Sequence, residues 1–251
     1  MRPISETKWL HVHTPAGDEM VFVARPEMKD RSKSAVVLVH DLFASPGVMA
    51  DWFGRLEPEA EVVLASLPGH GKAPRFKEGG WAELVTAYAR SLETILPGRR
   101  VLVVGAGLGG TLALALAAHG RACLALDPLM STAGLWPLER AARAFEGEAA
   151  AADPDFLFAT IGWRDGEIVE NRDYGELLDR VRAPALVLSG ETPLGEPRDG
   201  PAPSLMDGAA HARLAAYPNV RVQTLAGCGH DLLRQAPDVC REAILDELAR
   251  A

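Results

Sequence analysis

Cysteine is scarce in this 251-residue chain, and basic residues are outnumbered by acidic ones. Cys123, Cys228 and Cys240 are widely spaced. They therefore cannot form the dense disulfide framework of a small secreted domain, and we expect free thiols in a reducing cytoplasm. Lysine and arginine number 26 against 34 aspartates and glutamates, which gives a net charge of −8. Because nucleic-acid binding depends on basic surfaces, we expect no nucleic-acid partner.

Long apolar runs are also missing. The opening residues, MRPISETKWL, contain no apolar stretch of the kind that a signal peptide needs. Residues 101–118 carry no charge, but four glycines interrupt them, so we interpret them as a buried strand and helix rather than a membrane span. We therefore expect a cytoplasmic protein with no membrane partner. The length suits one α/β domain with one core.

Apolar runs that alternate with helical segments predict a mostly parallel, doubly wound sheet of eight strands. The first two strands are expected to form an antiparallel hairpin. The predicted strands are 8–14, 19–24, 35–39, 61–65, 101–104, 122–126, 183–188 and 219–224, and the main predicted helices are 48–56, 81–96, 111–119, 211–217 and 237–250. Residues 129–182 show helical patches and no clear strand. We interpret them as an inserted helical lid (cap), with 1–128 and 183–251 as the core domain.

The central stretch, VLVVGAGLGGTLALALAA, predicts a strand, a tight glycine turn and a buried helix. Two kinds of site use this geometry. One is the G-x-S-x-G elbow that presents a nucleophilic serine, with Gly107 here in the serine position. The other is the G-x-G-x-x-G dinucleotide fingerprint, matched by Gly105, Gly107 and Gly110, with Asp127 about where a ribose-binding acid would fall. Such a fingerprint normally opens its domain, whereas here about a hundred residues precede it.

Five motifs stand in order at the predicted carboxyl ends of strands, and together they resemble the α/β-hydrolase superfamily over nearly the whole chain. They are His40-Asp41-Leu42, Leu67-Pro68-Gly69-His70-Gly71, Gly105 to Gly109, Gly190 to Pro197 and Gly227-x-Gly229-His230. The resemblance implies the α/β-hydrolase fold. It also implies an oxyanion hole formed by the backbone N–H groups of Leu42 and Leu108, and a catalytic role for His230.

Three residues depart from the family pattern. Asp41 stands where glycine is usual, Gly107 replaces the nucleophilic serine, and Pro193 replaces the usual triad acid. A serine triad needs a hydroxyl, a histidine and a carboxylate, so ordinary serine hydrolysis is not expected. Some family members place their acid after the strand that Asp127 ends. Asp127 is therefore the candidate replacement, and an Asp127→Asn variant is expected to lose turnover while folding normally.

The sequence thus predicts a small-molecule enzyme in which His230, supported by Asp127, acts as an acid or base facing the oxyanion hole. A lyase, an isomerase, a cyclase or an atypical hydrolase would work in this way. The expected ligand is apolar or contains a carbonyl, and no cofactor or metal is expected. His40, Asp41 and Trp136 are candidate pocket residues beneath the lid. Two alternatives stay open: a non-catalytic pseudo-hydrolase that binds a ligand or partner, and a dinucleotide-binding protein.

Overall fold

An eight-stranded sheet forms the centre of this computed structural model, which describes residues 7–15, 17–25, 34–57, 59–76, 80–137, 154–191 and 202–251. The strands are β1 (Lys8–His13), β2 (Glu19–Ala24), β3 (Ala35–Val39), β4 (Glu61–Ala65), β5 (Val101–Ala106), β6 (Ala122–Leu126), β9 (Ala185–Gly190) and β10 (Val220–Leu225). Their order is β1-β2-β4-β3-β5-β6-β9-β10. β1 pairs with β2 and β2 with β4 in antiparallel fashion, and the other pairs are parallel.

Helices cover both faces of this sheet. They are α1 (Trp52–Leu56), α2 (Trp81–Ile95), α3 (Leu108–Ala117), α4 (Pro154–Ile161), α5 (Gly208–Ala215), α6 (Leu232–Gln235) and α7 (Pro237–Arg250), with 3-10 turns at Pro46–Met49 and Gly175–Arg180. The predicted α/β class, with its mostly parallel eight-stranded sheet, is confirmed. No helix among the described residues has the length and apolar character needed to cross a bilayer.

The turn between β5 and α3 is tighter than the sequence pattern predicts. Gly107 has φ +51°, a conformation that side chains rarely adopt, and α3 begins at the next residue rather than at Thr111. At Gly105 the helix comes close to the strand, since a Cβ there would lie 1.9 Å from the carbonyl oxygen of Gly109. The glycines of the central stretch therefore serve a tight elbow and close packing of helix on strand.

Two apolar clusters form the core, one on each face of the sheet. Every residue of α3 is buried, and it packs with α2 in the first cluster. α1 and α7 pack in the second cluster, against the other face. Burying a leucine side chain stabilises a fold by about 2 kcal/mol, so the Leu-rich α3 fixes the position of the turn before it.

Several described residues of the segment 129–182 pack on the first cluster. Leu135, Phe156, Leu157 and Trp163 all contribute to it. The prediction that this segment contains no strand is wrong for one short hairpin, β7 (Trp163–Arg164) and β8 (Glu167–Ile168), whose turn uses positive φ at Asp165 and Gly166. Two-residue strands leave no periodic pattern in a sequence. The division into a core domain and a lid stays a prediction.

Candidate functional site

The carboxylate of Asp41 lies at the N-terminus of α3. Asp41 follows β3 by two residues, and its Oδ1 accepts hydrogen bonds from the backbone N–H of Leu42 at 2.7 Å and of Leu108 at 2.9 Å. A helix N-terminus favours a negative charge because its first N–H groups have no partner within the helix. The carboxylate of Asp41 thus satisfies the donors that the sequence predicted as an oxyanion hole.

His230 lies between two carboxylates. Its Nδ1 is 2.7 Å from Oδ2 of Asp127, and its Nε2 is 2.8 Å from Oδ2 of Asp41. An ionised carboxylate only accepts hydrogen bonds, so both ring nitrogens must donate. That arrangement requires the doubly protonated imidazolium, and the cluster Asp41–His230–Asp127 then carries one net negative charge.

The pKa shifts of His230 and Asp41 agree with that protonation state. Burial alone would lower the pKa of His230, but the charge of Asp41 and the hydrogen bonds of Asp127 and Asp41 outweigh it and raise the pKa to about 10. Burial disfavours the charged form of Asp41. Nevertheless the His230 charge and hydrogen bond, with the N–H groups of Leu108 and Leu42, bring the pKa of that carboxyl below its ordinary value. The positive charge on His230 and the negative charge on Asp41 therefore stabilise each other.

Asp127 is completely buried and makes several hydrogen bonds besides the one to His230. It follows β6 directly with φ +45°. Its Oδ1 accepts from the Gly190 N–H at 3.2 Å and from the Ser204 hydroxyl, and its Oδ2 accepts from the Leu205 N–H at 2.7 Å. The predicted hydrogen-bonding distance between Asp127 and His230 is confirmed, but Asp127 also joins β6, β9 and the chain before α5.

Gly107 is required by the position of Asp41. A Cβ built at residue 107 would lie 1.8 Å from Oδ1 of Asp41 and 2.3 Å from its Cγ. In its observed position the aspartate therefore leaves no space for a side chain at the nucleophile position. The predicted N–H pair of Leu42 and Leu108 converges on one point, which Asp41 Oδ1 occupies in this structure.

His40 is a structural residue rather than a pocket residue, which corrects the sequence prediction. It is fully buried, its Nδ1 donates to the Asp41 carbonyl at 2.7 Å, and its Nε2 accepts the Leu67 N–H at 3.0 Å. Burial and the neighbouring His70 lower its pKa to about 3, so the ring stays neutral. His40 thereby ties the loop that carries Asp41 to the loop after β4.

A cavity of about 640 Å³ reaches Asp41 and His230. It lies between the segment after β3 and the residues around α6, and its lining includes Ala106, Leu126, Val48, Met49, Trp52 and Leu232. No described residue of 129–182 lines it, so this cavity is not the pocket predicted beneath the lid. Trp136 is half-buried and does not line the cavity, and Pro193 lies outside the described residues.

The dinucleotide alternative loses its physical basis at the same point. A pyrophosphate would need the N–H groups at the start of α3, and Asp41 already occupies the N–H of Leu108.

Among the described residues, no group of three or more His, Cys, Asp or Glu side chains is arranged to hold a metal ion.

Sequence reasoning missed the central role of Asp41 and the three further donors around Asp127. A signal for Asp41 was present. The chain has aspartate where the family has glycine, and glycine where the family has serine. Two opposite changes in side-chain size indicate residues that contact each other in space. Ser204 gave no such signal.

Comparison with known proteins matches most of this chain to one family. The model of the alpha/beta hydrolase family matches residues 36–243. The carboxylesterase CesB (YbfK) from Bacillus subtilis is similar at TM-score 0.69 and 13% identity, over 98% of this chain and 93% of that one. E-2-(acetamidomethylene)succinate hydrolase gives TM-score 0.70 and 17% identity, over 96% and 100%. MenH from S. aureus gives 0.63 and 14%, over 98% of each chain.

No curated protein matches the chain in sequence. The structural likenesses, all below 25% identity, show the fold, whereas the family model covers most of the chain. The elbow at Gly107 and the histidine after the last strand of the eight-stranded sheet fit that match, and this chain belongs to the alpha/beta hydrolase family.

Proposed function

We propose that this chain is a small-molecule enzyme in which His230 moves a proton, Asp127 holds the imidazole and Asp41 controls its protonation. One observation carries the proposal: His230 lies between two carboxylates, at 2.7 and 2.8 Å, beside a cavity that a small molecule can enter. A histidine that is held by a buried carboxylate on one nitrogen and that lines a cavity is an arrangement that general acid–base catalysis uses.

Asp41 gives the site its control of proton transfer. While Asp41 is charged, His230 keeps its proton and can act only as an acid. If a ligand displaces or neutralises that carboxylate, the main charge that raises the His230 pKa disappears, and the imidazole can release a proton and then act as a base. Asp127, which no ligand can reach directly, keeps the ring oriented throughout.

The similar structures support hydrolysis as the reaction type, since they include a carboxylesterase and a succinate-derivative hydrolase. Gly107 has no side chain, which argues against hydrolysis through a serine nucleophile. An atypical hydrolase, which uses a carboxylate and an imidazole, is therefore the first candidate, ahead of a lyase, an isomerase or a cyclase.

The second candidate is a ligand-binding relative without turnover. The observation that favours it is the filled N–H pair, because Asp41 occupies the point where a hydrolase stabilises the developing oxyanion. A protein that had lost its nucleophile and filled its oxyanion hole would bind small molecules in the cavity and release them unchanged.

Turnover of three probes separates these candidates: p-nitrophenyl butyrate for acyl transfer, 2-octanone in D₂O for proton exchange next to a carbonyl, and hexyl bromide for displacement at saturated carbon. We expect turnover of at least one probe, and a loss of about 10²-fold or more in His230→Gln. His211→Gln, in a half-buried histidine outside the site, is the matched control and should retain activity.

Two outcomes would overturn the enzyme proposal. One is that no probe is turned over although ligand-detected NMR shows that probes bind, which supports the second candidate. The other is turnover that His230→Gln leaves unchanged, because the imidazole would then have no part in the chemistry.

A further inference from the structure

We propose that the Asp41 carboxylate is the nucleophile of this site, attacking the saturated carbon of an alkyl compound whose leaving group departs as an anion. The product of this attack is an alkyl ester on Asp41, which water then hydrolyses with His230 as the base. This inference rests on the proposed function, in which His230 moves a proton, and adds the bond that forms and the class of substrate.

The first argument is position. Asp41 Oδ1 lies within 1.8 Å of where a Cβ at residue 107 would be, so the carboxylate stands in the space of the missing nucleophilic side chain. Its Oδ2 contacts Nε2 of His230. The carboxylate is 29% exposed, whereas Asp127 on the other side of the ring is fully buried. Of the two carboxylates that contact His230, Asp41 is the one that a substrate can reach.

The second argument is that the N–H pair serves Asp41 itself. Attack on an ester or amide needs donors for the substrate's own carbonyl oxygen, and Leu42 and Leu108 already donate to Asp41 Oδ1. Displacement at a saturated carbon creates no oxyanion on the substrate and needs no such donors. The filled hole is therefore compatible with alkyl substrates and excludes acyl substrates while Asp41 stays in place.

The first step forms one bond and breaks one. Asp41 Oδ2 supplies an electron pair to the carbon, a C–O bond forms, and the bond to the leaving group breaks with both electrons going to that group. Asp41 becomes a neutral ester. Its charge was the main cause that raised the His230 pKa, so His230 releases its proton to solvent, where it balances the departed anion.

The second step regenerates the carboxylate. Neutral His230 takes one proton from a water molecule, and the hydroxide attacks Cγ of the Asp41 ester. The resulting negative charge falls on Oδ1, where the Leu42 and Leu108 N–H groups already donate. Collapse expels the alkoxide, which takes the second proton of that water. The alcohol leaves, Asp41 is again charged and His230 is again protonated.

The cavity beside Asp41 suits the alkyl part of such a substrate. Its volume of about 640 Å³ is within the usual range for small-molecule sites. Apolar side chains (Val48, Met49, Trp52 and Leu232) line it beside charged ones (Asp51, Arg55, Asp231 and Arg234). We therefore choose hexyl bromide as the probe, with an apolar chain and a leaving group that needs no proton.

Single turnover in ¹⁸O-labelled water tests this inference, with protein in excess over hexyl bromide. Because water attacks Cγ and the alcohol carries away an original oxygen of Asp41, the label should enter the Asp41 carboxylate and be absent from the first hexanol formed. Mass spectrometry of the peptide that contains Asp41 measures the label. In His230→Gln, bromide should be released once and the hexyl group should remain on Asp41.

Two variants complete the design. Asp41→Asn should release no bromide and carry no hexyl group, with a loss of about 10³-fold or more. Asp246→Asn removes an exposed carboxylate of α7 that does not line the cavity, and it should behave as the wild type.

The outcomes distinguish this inference from the proposed function. Label in the hexanol instead of in Asp41 would mean that water attacks carbon directly, which overturns the nucleophile and leaves His230 as the base. His230-dependent turnover of another probe without bromide release would also overturn the nucleophile alone. No turnover of any probe would overturn both.

Discussion

Asp41 Oδ1 fills the space that a side chain at residue 107 would need, so the residue at position 41 and the residue at position 107 depend on each other. A Cβ at residue 107 would lie 1.8 Å from that oxygen, far inside van der Waals contact. The aspartate requires glycine at the elbow, and the glycine leaves the N–H groups of α3 free for the aspartate. A serine at residue 107 would overlap the Asp41 carboxylate in the position it occupies here.

Restoring a serine therefore needs two substitutions. Gly107→Ser alone should lose about 1–3 kcal/mol of unfolding free energy, because the new side chain overlaps Asp41 and the residue has positive φ. It should also stay unlabelled by a fluorophosphonate probe, as should the wild type. Asp41→Gly/Gly107→Ser should gain labelling and hydrolysis of p-nitrophenyl butyrate, since it adds a hydroxyl at the elbow to His230 and Asp127 and opens the N–H pair. Urea unfolding and gel-based labelling measure the two effects.

Asp41→Gly alone is the control, and it should fold but stay unlabelled, because it opens the elbow without supplying a hydroxyl. Rapid labelling of the Gly107→Ser single variant would mean that Asp41 moves away from the elbow at little cost, which contradicts the steric exclusion described above.

The sequence predicted the strands and helices of this molecule well because they depend on local patterns of apolar and polar residues. The predicted bounds of β2, β3, β4, β6 and α7 agree with the structure residue for residue, since each is an apolar run or an amphipathic stretch with clear stops. The sequence placed the start of α3 at Thr111 rather than at Leu108, because glycine is a poor helix former. In the structure, burial offsets the free-energy cost of having Gly109 and Gly110 in the helix.

The site was predictable only where topology decides it. Strand order brings the loops of Asp127 and His230 to one edge of the sheet, so their contact could be predicted. The path of the Asp41 loop could not, because it depends on His40 bonding to Leu67 and on Phe43 at positive φ. Such contacts span loops distant in sequence and leave no periodic pattern.

Stability should fall as the solution becomes alkaline, and His230 should be the cause. Its pKa is raised from 6.5 to about 10 on folding, so the folded state binds a proton that the unfolded state releases. The stabilisation is fully present below pH 6.5 and is lost as pH rises through about 10, by at most ~1.4 kcal/mol per pH unit. Urea unfolding at a series of pH values between these limits measures it. His230→Gln should remove most of this slope, and an unchanged slope in that variant would show that other groups cause the alkaline loss.

His40→Leu should destabilise the protein at neutral pH by about 2–4 kcal/mol. The change leaves the Leu67 N–H and the Asp41 carbonyl buried without their partner. Wild-type His40 has its pKa lowered to about 3, so the unfolded state gains a proton first as pH falls below 6.5, and this part of the stability is lost on acidification. The difference in unfolding free energy between the wild type and His40→Leu should therefore narrow towards pH 5. His119→Gln, at an exposed histidine, is the control and should show no such change. If that difference in unfolding free energy did not change with pH, His40 would not be neutral in the folded protein.

Asp127→Asn should damage both folding and chemistry, in contrast to the sequence expectation that folding would be unaffected. The carboxylate accepts from Gly190, Ser204, Leu205 and His230 in a fully buried position. An asparagine amide presents two N–H groups, and wherever it lies, donor faces donor at one or more of these contacts. We expect a loss of about 2–4 kcal/mol in unfolding free energy, measured in urea, and failure to fold at the upper end of that range.

Ser204→Ala separates the two roles of Asp127. It removes the hydroxyl that donates to Asp127 and accepts the Met206 N–H, and it leaves the bond between Asp127 and His230. It should therefore cost about 1–3 kcal/mol and leave any His230-dependent turnover within a few-fold of the wild type. If Ser204→Ala reduced turnover as much as His230→Gln does, Asp127 would have to be oriented by that hydroxyl. If Asp127→Asn were as stable as the wild type, the buried carboxylate would not be the acceptor that joins β6, β9 and the chain before α5.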